Sequence, residues 1–334
     1  MFEQRFLQAI GAAVHEDGHV AFAGFDPEAE PCPGSFITLL PDLSLLRING
    51  GDAAEFLHNQ FTCEVIALGE GSGTPGAWCS PKGRVITTLV LYRLGGEFFL
   101  LMPTVLLERV VKRLRMFVLR AEVEITDFTA DCTVMGMHGG NHSLQENGGA
   151  YRINRLNERL QLFLPAADGS RCLIIDDSAV LQAVWLELAK SMTPVDSRCW
   201  DRLDMAAGIP WLNDATTEEF LPQELNLDQI GALSFDKGCY PGQEIIARVR
   251  YRGQVKRRLY SGRADNGAAA STGNKLRDDA GKTTGMIIAA APDAKDGIRV
   301  LAVIDTAGAD AGKIQLEDGS VLHIDSEIAP QKHE

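Results

Sequence analysis

The alternation of apolar and polar residues near the start of the chain predicts a strand, a helix and then a hairpin. The segment "LLRING" is typical of a short strand, and Asp52 follows it as a helix N-cap with Glu55 three residues later. Further along, the apolar runs of "GRVITTLVLYRLGGEFFLLMP" are joined by Gly95 and Gly96, a dipeptide typical of a tight hairpin turn. We therefore expect the first domain to begin with this strand and helix.

The next segment, "PTVLLERVVKRLRMFVL", predicts an amphipathic helix. It opens with Pro103 and repeats its apolar residues at helical spacing. The opposite face carries the cations Lys112, Arg113 and Arg115. A solvated face is the preferred interpretation of these cations, and a binding patch is the alternative.

The rest of the chain reads as strands with few helices. Between residues 121 and 176 the apolar segments are short, and a helix is predicted at "SAVLQAVWLELAK". This mixture favours an α+β arrangement over a regular parallel βαβ winding. After residue 256 the strands are separated by Gly, Asp and Asn, and helical periodicity is absent. Such spacing predicts a small β-barrel or sandwich of roughly eighty residues.

Length and composition predict a globular protein of two or three domains. The chain has 334 residues, of which 45% are hydrophobic and 23% are charged, and a single core stops growing near ~250 to 300 residues. No apolar run approaches the ~20 residues that a membrane helix requires. The N-terminal "MFEQRFLQAIGAAVHEDG" lacks the features of a secretion signal. We therefore expect a cytoplasmic protein without membrane contact.

The seven cysteines are widely spread and form no C-x-x-C pair. They are Cys32, Cys63, Cys79, Cys132, Cys172, Cys199 and Cys239. Because their number is odd and their spacing shows no motif, we expect neither a disulfide framework nor a zinc site.

The net charge of −13 disfavours direct nucleic-acid binding, because phosphate contacts need clustered Lys and Arg. Residues 237–258 are a local exception, since they hold seven cations against the single acid Glu244. We expect an anionic ligand to be steered toward this basic segment.

One cysteine lies inside the basic segment beside a predicted tight turn. The residues Tyr240-Pro241-Gly242-Gln243 fit a type II turn, with Gly in the third position, where a positive φ is required. A short helix with Glu244 and Arg248 at i,i+4 is expected to begin there. Lys237 lies two residues before Cys239, on the same side of an extended chain, and biases the thiol toward thiolate.

Cys239 is therefore a candidate reactive thiol, and a small buried cysteine is the alternative. A second candidate site is the helix predicted within "CWDRLDMAAGIPWL". Its residues Trp200 and Trp211 fit either the core or the wall of a cleft that takes a heteroaromatic ring. Periodicity leaves both interpretations open.

The octapeptide "KGCYPGQE" at residues 237–244 resembles the K-G-C-Y-x-G-Q-E signature of the YgfZ family of folate-binding proteins implicated in iron–sulfur cluster biogenesis. Supporting blocks occur in the family's order. They are "LRINGGDAAEFLHNQFTCEV" (46–65), "GAWCSPKGRVITTLVLYR" (76–93), "WDRLDMAAGIPWL" (200–212) and "FLPQELNLDQIGALSF" (220–235).

The resemblance implies an α+β, aminomethyltransferase-like folate-binding fold, in which mixed α/β domains surround a central cavity and a C-terminal β-barrel follows. The N-terminal folate-binding domain is expected to comprise residues 1–135 and 200–250. A middle, ferredoxin-like α+β domain is expected at residues 136–199, and the barrel at 251–330.

The resemblance also implies the site. Tetrahydrofolate, or a one-carbon derivative of it, is the expected cofactor, and Trp200 falls on a family tryptophan associated with folate. Lys237 and Cys239 fall on the signature residues on which function in the family depends. The other expected folate-binding residues are Tyr240, Gln243, Glu244 and Arg248, and no metal-binding residue is expected.

The chain departs from the related aminomethyltransferases at their acids. Thr87 and Thr88 stand where the G-G-x-x-D-D acids would fall, and Ala206 replaces the pterin-binding glutamate. An aromatic family folate contact appears as Leu43. Because one-carbon transfer needs an acid to move protons at the folate nitrogen, ordinary aminomethyl transfer is disfavoured.

Three functional hypotheses remain. The first is a folate-dependent accessory factor for iron–sulfur cluster assembly or repair, with iron–sulfur client enzymes and tRNA-modifying enzymes as partners. The second is a one-carbon transferase that takes its acid from a residue such as Glu244. The third is a noncatalytic adaptor that binds RNA or a protein through residues 248–258.

Overall fold

The computed structural model describes residues 4–16, 18–139, 150–156, 159–166, 171–265, 268–294, 297–311 and 314–327. The strands are β1 (Ala12–Val14), β2 (Val20–Phe22), β3 (Phe36–Leu39), β4 (Leu43–Asn49), β5 (Ser72–Cys79), β6 (Val85–Leu94), β7 (Glu97–Pro103), β8 (Glu124–Asp127), β9 (Thr133–His138), β10 (Ile153–Leu156), β11 (Arg159–Leu164), β12 (Arg171–Asp176), β13 (Thr193–Pro194), β14 (Arg257–Ala264), β15 (Lys275–Arg277), β16 (Thr283–Asp293), β17 (Gly297–Asp305), β18 (Ile314–Gln315) and β19 (Val321–Glu327).

The helices are α1 (Gln4–Ala9), α2 (Ala53–Gln60), α3 (Leu107–Val118), α4 (Ser178–Leu188), α5 (Arg198–Ala206), α6 (Gln243–Arg252) and α7 (Thr306–Ala311), with 3-10 turns at Thr104–Leu106 and Pro222–Leu225. The predicted amphipathic helix is α3, which follows the first of these turns directly.

A five-stranded antiparallel sheet, in the order β5-β6-β7-β4-β8, forms the first layer of the fold. The predicted hairpin between β6 and β7 is confirmed. Gly95 and Gly96 form its turn with positive φ values of 63° and 80°, which residues that carry a side chain rarely adopt. Asp52 precedes α2 as predicted, but its carboxylate accepts a hydrogen bond from the Glu122 N–H (2.7 Å) and does not cap the helix.

A six-stranded sheet in the order β10-β11-β12-β9-β3-β13 forms the second layer. The pairing of β13 with β3 is parallel, and the other pairings are antiparallel. The early strand β3 therefore belongs to the same sheet as β9–β12. The predicted boundary after residue 135 falls inside β9, and the hydrogen-bonded sheet of β3 and β9–β12 crosses it. The expected domain limits stay a prediction.

The C-terminal strands form a closed barrel, in the order β14-β17-β16-β15-β18-β19. This confirms the barrel predicted after residue 256. Residues 328–330 of the predicted barrel domain lie outside the described residues.

Helix α5 lies where the two sheets and the barrel meet. Its Trp200 packs in the core between the first and second sheets, and Met205 packs in the core that includes the first sheet and Leu301 of the barrel. Helix α5 also contacts β16 and β17. A single short helix therefore joins the three layers.

In the part of the chain that the structure describes, no helix is both long enough and apolar enough to cross a membrane.

The contact of Trp200 with β9 requires a residue without a side chain. A Cβ atom on Gly136 would lie 2.6 Å from Cε3 of Trp200. We expect Gly136→Ala to lower the free energy of unfolding by about 1–3 kcal/mol, because the fully buried indole must move. Urea unfolding followed by circular dichroism measures this change.

The matched control is Gly34→Ala, since a Cβ atom there meets nothing within 4 Å. We expect the control to leave the unfolding midpoint within experimental error. Equal stability of the two variants would contradict the close packing of α5 on β9.

Candidate functional site

The signature segment folds as the predicted turn. Tyr240 O accepts a hydrogen bond from Gln243 N–H (3.1 Å), and Gly242 has φ 82° and ψ −1°, the values of the third residue in a type II turn. A Cβ atom on Gly242 would lie 2.6 Å from Cα of Gly83. Glycine is therefore required there twice, by conformation and by space, and α6 begins at the next residue.

Cys239 is exposed and free. The neighbouring Gly238 lies beside α2, since a Cβ atom on it would be 3.9 Å from both Asn59 Oδ1 and His58 Nε2. The alternative that Cys239 is a buried cysteine is therefore wrong. The reactivity of the Cys239 thiol stays a prediction.

Lys237 fastens the signature loop to the chain that follows α2. Its ammonium donates to the backbone oxygens of Phe61 (2.8 Å) and Cys63 (2.6 Å), and it lies 5.4 Å from the ring centroid of Tyr240. Burial lowers the pKa of Lys237 to about 8. The charges of Cys63 and Glu64 raise this pKa but do not offset the effect of burial. The structure thus directs the ammonium at two carbonyls, and Lys237 positions the loop that carries Cys239.

The other predicted folate contacts lie with Cys239 and not with Trp200. Tyr240 is buried, and its hydroxyl has no hydrogen-bond partner among the described residues. Gln243 is half-buried at the start of α6. Glu244 and Arg248 form the predicted i,i+4 pair (3.0 Å), with 84% and 63% of their side chains exposed. None of these residues lines a described cavity beside α5, so their role stays a prediction.

Two cavities flank α5. The larger, which we call the carboxylate cavity, holds about 520 Å³ and is lined by Asp42, Asp201, Asp204 and Trp211, with apolar walls from Pro103 and Ile288 among others. The smaller, the disulfide cavity, holds about 420 Å³ and is lined by Cys32, Cys199, Arg202, His138 and Arg299 among others. Both are bounded by the second sheet or its neighbouring loops, α5 and the barrel.

A buried ion pair orients the wall of the carboxylate cavity. Arg171 on β12 donates to Asp204 Oδ1 on α5 (2.6 Å), and the Trp211 indole N–H donates to Asp204 Oδ2 (2.9 Å). Burial raises the pKa of Asp204, although Arg171 and Trp211 lower it. Because Asp204 is bound on both oxygens, it fixes the ring of Trp211 at the cavity.

Asp42, between β3 and β4, was not singled out by the sequence. Burial and the Asp201 carboxylate raise the pKa of Asp42 to about 7, against His19, which lowers it. His19 is itself held by Asp201 (2.9 Å). Asp42 Oδ1 is buried and has no hydrogen-bond partner in the described chain. The cavity therefore presents a carboxyl group that gains or loses a proton near neutral pH.

The sequence offered one signal for Asp42. It immediately precedes Leu43, the position of an aromatic folate contact in the family. Loop aspartates are common, so the burial that raises the pKa of Asp42 is visible only in three dimensions.

The structure separates the two tryptophans that the sequence left open. Trp200 is only 1% exposed and packs on Gly136, with the Arg171 guanidinium 5.1 Å from its ring centroid. Trp200 lies in the core and Trp211 lines the carboxylate cavity. A folate contact by Trp200 stays a prediction.

Cys32 and Cys199 form a disulfide, with their Cα atoms 5.8 Å apart. The sequence predicted no disulfide framework, and it did not anticipate this one bond. The two residues lie 167 positions apart, so no spacing in the sequence reveals them. Among the described residues, no group of three or more His, Cys, Asp or Glu side chains is placed to hold a metal ion. The absence of a zinc site stays an expectation from the sequence.

The chain is similar to several curated bacterial proteins, and no protein-family model matches it. It is 33% identical over 250 residues to the tRNA-modifying protein YgfZ of Blochmanniella pennsylvanica, covering 72% of this chain and 75% of that protein. It is 28% identical over 319 residues to the YgfZ of Sodalis glossinidius, covering 91% and 94%. For the YgfZ of Colwellia psychrerythraea the identity is 30% over 240 residues, covering 70% and 73%.

The chain belongs to the YgfZ family of tRNA-modifying proteins. Its fold is similar to the glycine cleavage system aminomethyltransferase T from Bartonella henselae, with a TM-score of 0.72, 14% identity and coverage of 97% of this chain and 96% of that one. The predicted family and the predicted aminomethyltransferase-like fold with its barrel are thus confirmed.

The departures from the aminomethyltransferase pattern are visible in this YgfZ-family structure. Thr88 is buried, and its hydroxyl donates to Pro210 O (2.6 Å). Thr87 donates to the backbone oxygen of Thr88 (2.9 Å). Ala206 lines the disulfide cavity with a methyl group only. The ionisable residues that line the carboxylate cavity are instead Glu16, His19, Asp42, Asp201 and Asp204.

The raised pKa of Asp42 makes stability depend on pH. The stability that protonated Asp42 contributes is fully present below 3.8, the pKa of the carboxyl in the unfolded chain. It is lost as the pH rises through about 7, because the folded state binds the proton more tightly than the unfolded chain does. Across this interval we expect the unfolding free energy of the natural chain, minus that of Asp42→Asn, to fall by on the order of 4 kcal/mol, because each pKa unit corresponds to about 1.4 kcal/mol. Urea unfolding at a series of pH values measures the difference. A difference that is constant with pH would contradict the assignment.

Proposed function

We propose that this YgfZ-family protein binds tetrahydrofolate, or a one-carbon derivative, in the carboxylate cavity. In the cytoplasm it uses that bound state to support iron–sulfur cluster assembly or repair in client enzymes, including those that modify tRNA. The observation that carries the proposal is the cavity itself, of about 520 Å³, with a carboxyl group and an indole on its walls.

The chemistry of the cavity suits a pterin. The pyrimidine half of a tetrahydropterin is planar and carries an amino group and a ring N–H side by side, a pair of donors that a carboxylate accepts well. Asp42 has a buried oxygen without a partner in the described chain. Trp211 offers an indole held in place through Asp204. The apolar walls from Pro103 and Ile288 suit the faces of such a ring.

The thiol acts at a different place. Cys239 is exposed beside α2 and lines neither the carboxylate cavity nor the disulfide cavity. Its position favours action on a partner at the surface over action on a one-carbon unit held in the cavity. A stable cluster takes four thiolates, so a single exposed sulfur fits a transient contact with a cluster or a client.

Titration with tetrahydrofolate tests the binding site. We expect Asp42→Ala to weaken binding about 10- to 100-fold, because a hydrogen bond to a charged group contributes about 1.5–3 kcal/mol. Binding should change the fluorescence emission of Trp211. This change should be absent in Trp211→Phe. Isothermal calorimetry and tryptophan fluorescence measure the two effects.

The control is Glu244→Gln, which alters a predicted folate contact on the exposed face of α6. We expect this variant to bind tetrahydrofolate as tightly as the natural chain. If Glu244→Gln loses affinity and Asp42→Ala retains it, the folate site is on the signature segment and not in the cavity.

A cellular assay tests the thiol. We expect Cys239→Ser to abolish the cluster-dependent enzyme activity that the protein supports, while tetrahydrofolate affinity is unchanged, since the sulfur lies outside the cavity. Complementation of a deletion strain, with a tRNA thiolation readout, measures the first effect. Full complementation by Cys239→Ser would rule out the thiol.

A one-carbon transferase is the second candidate, and Asp42 is the observation that favours it. A carboxyl group with a pKa near 7 suits proton transfer at a folate nitrogen. Glu244, the acid considered from the sequence, is exposed and paired with Arg248, which suits it poorly. Turnover of a methylene or aminomethyl donor by the purified protein, lost in Asp42→Asn, would promote this candidate over the accessory role.

A further inference from the structure

The Cys32–Cys199 disulfide joins the loop before β3 to helix α5. Cys199 is buried, with 1% of its surface exposed, whereas Cys32 is half-buried. Both residues line the disulfide cavity. An external thiol can therefore approach the bond from the cavity, and Cys32 carries the sulfur that it reaches.

A cation accompanies the reachable sulfur. Arg202 lies one turn after Cys199 on α5, and its Nη1 is 3.2 Å from Cys32 Sγ. Its Nη2 is bound to Asp293 Oδ2 (2.9 Å), a barrel carboxylate with 3% of its side chain exposed. Since the barrel holds the guanidinium in place, it remains beside Cys32 when the disulfide opens. A neighbouring guanidinium favours the thiolate form of a cysteine.

Burial dominates the titration of four other cysteines, including Cys63, whose neighbour Lys237 lowers its pKa without offsetting burial. Burial raises the pKa of Cys63 and Cys132 to about 11 and that of Cys172 to about 12, and it raises the pKa of Cys79 further. Such thiols exchange slowly, because the thiolate is the reactive form. The sulfur beside Arg202 is thus chemically distinct from them.

We propose that Cys32 and Cys199 form a thiol–disulfide exchange site that a small dithiol reduces through the disulfide cavity. The attacking thiolate bonds to Cys32 Sγ, the Cys32–Cys199 bond breaks, and its electron pair passes to Cys199 Sγ, which takes a proton. The second thiolate of the dithiol then attacks the first dithiol sulfur and releases Cys32 as a thiolate beside Arg202. The protein disulfide gains two electrons, and the dithiol is oxidised to a disulfide.

This site is independent of the proposed folate function. Reduction releases the loop before β3 from α5, the helix that bounds both cavities. The reaction runs in reverse when the Cys32 thiolate attacks an oxidised dithiol, with Cys199 as the second attacking sulfur.

The test is cysteine labelling of the folded full-length protein with iodoacetamide, read by peptide mass spectrometry before and after dithiothreitol. Before reduction we expect a linked Cys32–Cys199 peptide and no label on either residue. After reduction under native conditions we expect Cys32 to be labelled at least about tenfold faster than Cys132, because Arg202 lies beside Cys32 and burial disfavours the Cys132 thiolate.

The Arg202→Gln variant tests the cation. We expect its reduced Cys32 to be labelled about tenfold more slowly at pH 7, with the difference vanishing near pH 10, where the thiol ionises in both proteins. Arg198→Gln is the matched control, because Arg198 lies on the same helix and binds Asp196 (2.9 Å). It should label like the natural chain.

Three results would overturn the proposal. The first is free Cys32 and Cys199 in the air-oxidised protein. The second is a bond that dithiothreitol opens only after unfolding. The third is labelling of Arg202→Gln at the natural rate at pH 7.

Discussion

The buried pair of Arg171 and Asp204 is the interaction on which the carboxylate cavity depends. It connects β12 of the second sheet to α5, and Asp204 passes the constraint to Trp211 through a second hydrogen bond. Removing one partner of such a pair costs about 3–5 kcal/mol, because the other charge is left buried and uncompensated. The same helix bounds both cavities and contacts the barrel. The position of α5 therefore determines the shape of both candidate sites.

The fold divides two chemistries between two places. The carboxylate cavity is lined by Asp42 and Trp211, whereas Cys239 is exposed on a loop that Lys237 fastens to the backbone after α2. The proposed ligand and the thiol therefore lie at separate places, which suits the proposed accessory role better than an enzyme that joins both groups in one reaction.

Local sequence patterns predicted the local structure well. The Gly95-Gly96 hairpin, the amphipathic helix and the turn at Gly242 each follow from residues that are adjacent in the chain. The octapeptide also led correctly to the family and its fold. What the sequence missed or left open depends on distant residues. The bond between Cys32 and Cys199, the pKa of Asp42 and the core position of Trp200 all arise when separate segments meet, and no periodicity encodes them.

A crystal structure of the protein with tetrahydrofolate bound under reducing conditions tests the proposed site without an intermediate assay. We expect a pterin ring against Trp211, with its amino group and ring N–H within hydrogen-bonding distance of the Asp42 carboxylate. A pterin bound beside Cys239 or in the disulfide cavity, with the carboxylate cavity unchanged, would contradict this expectation.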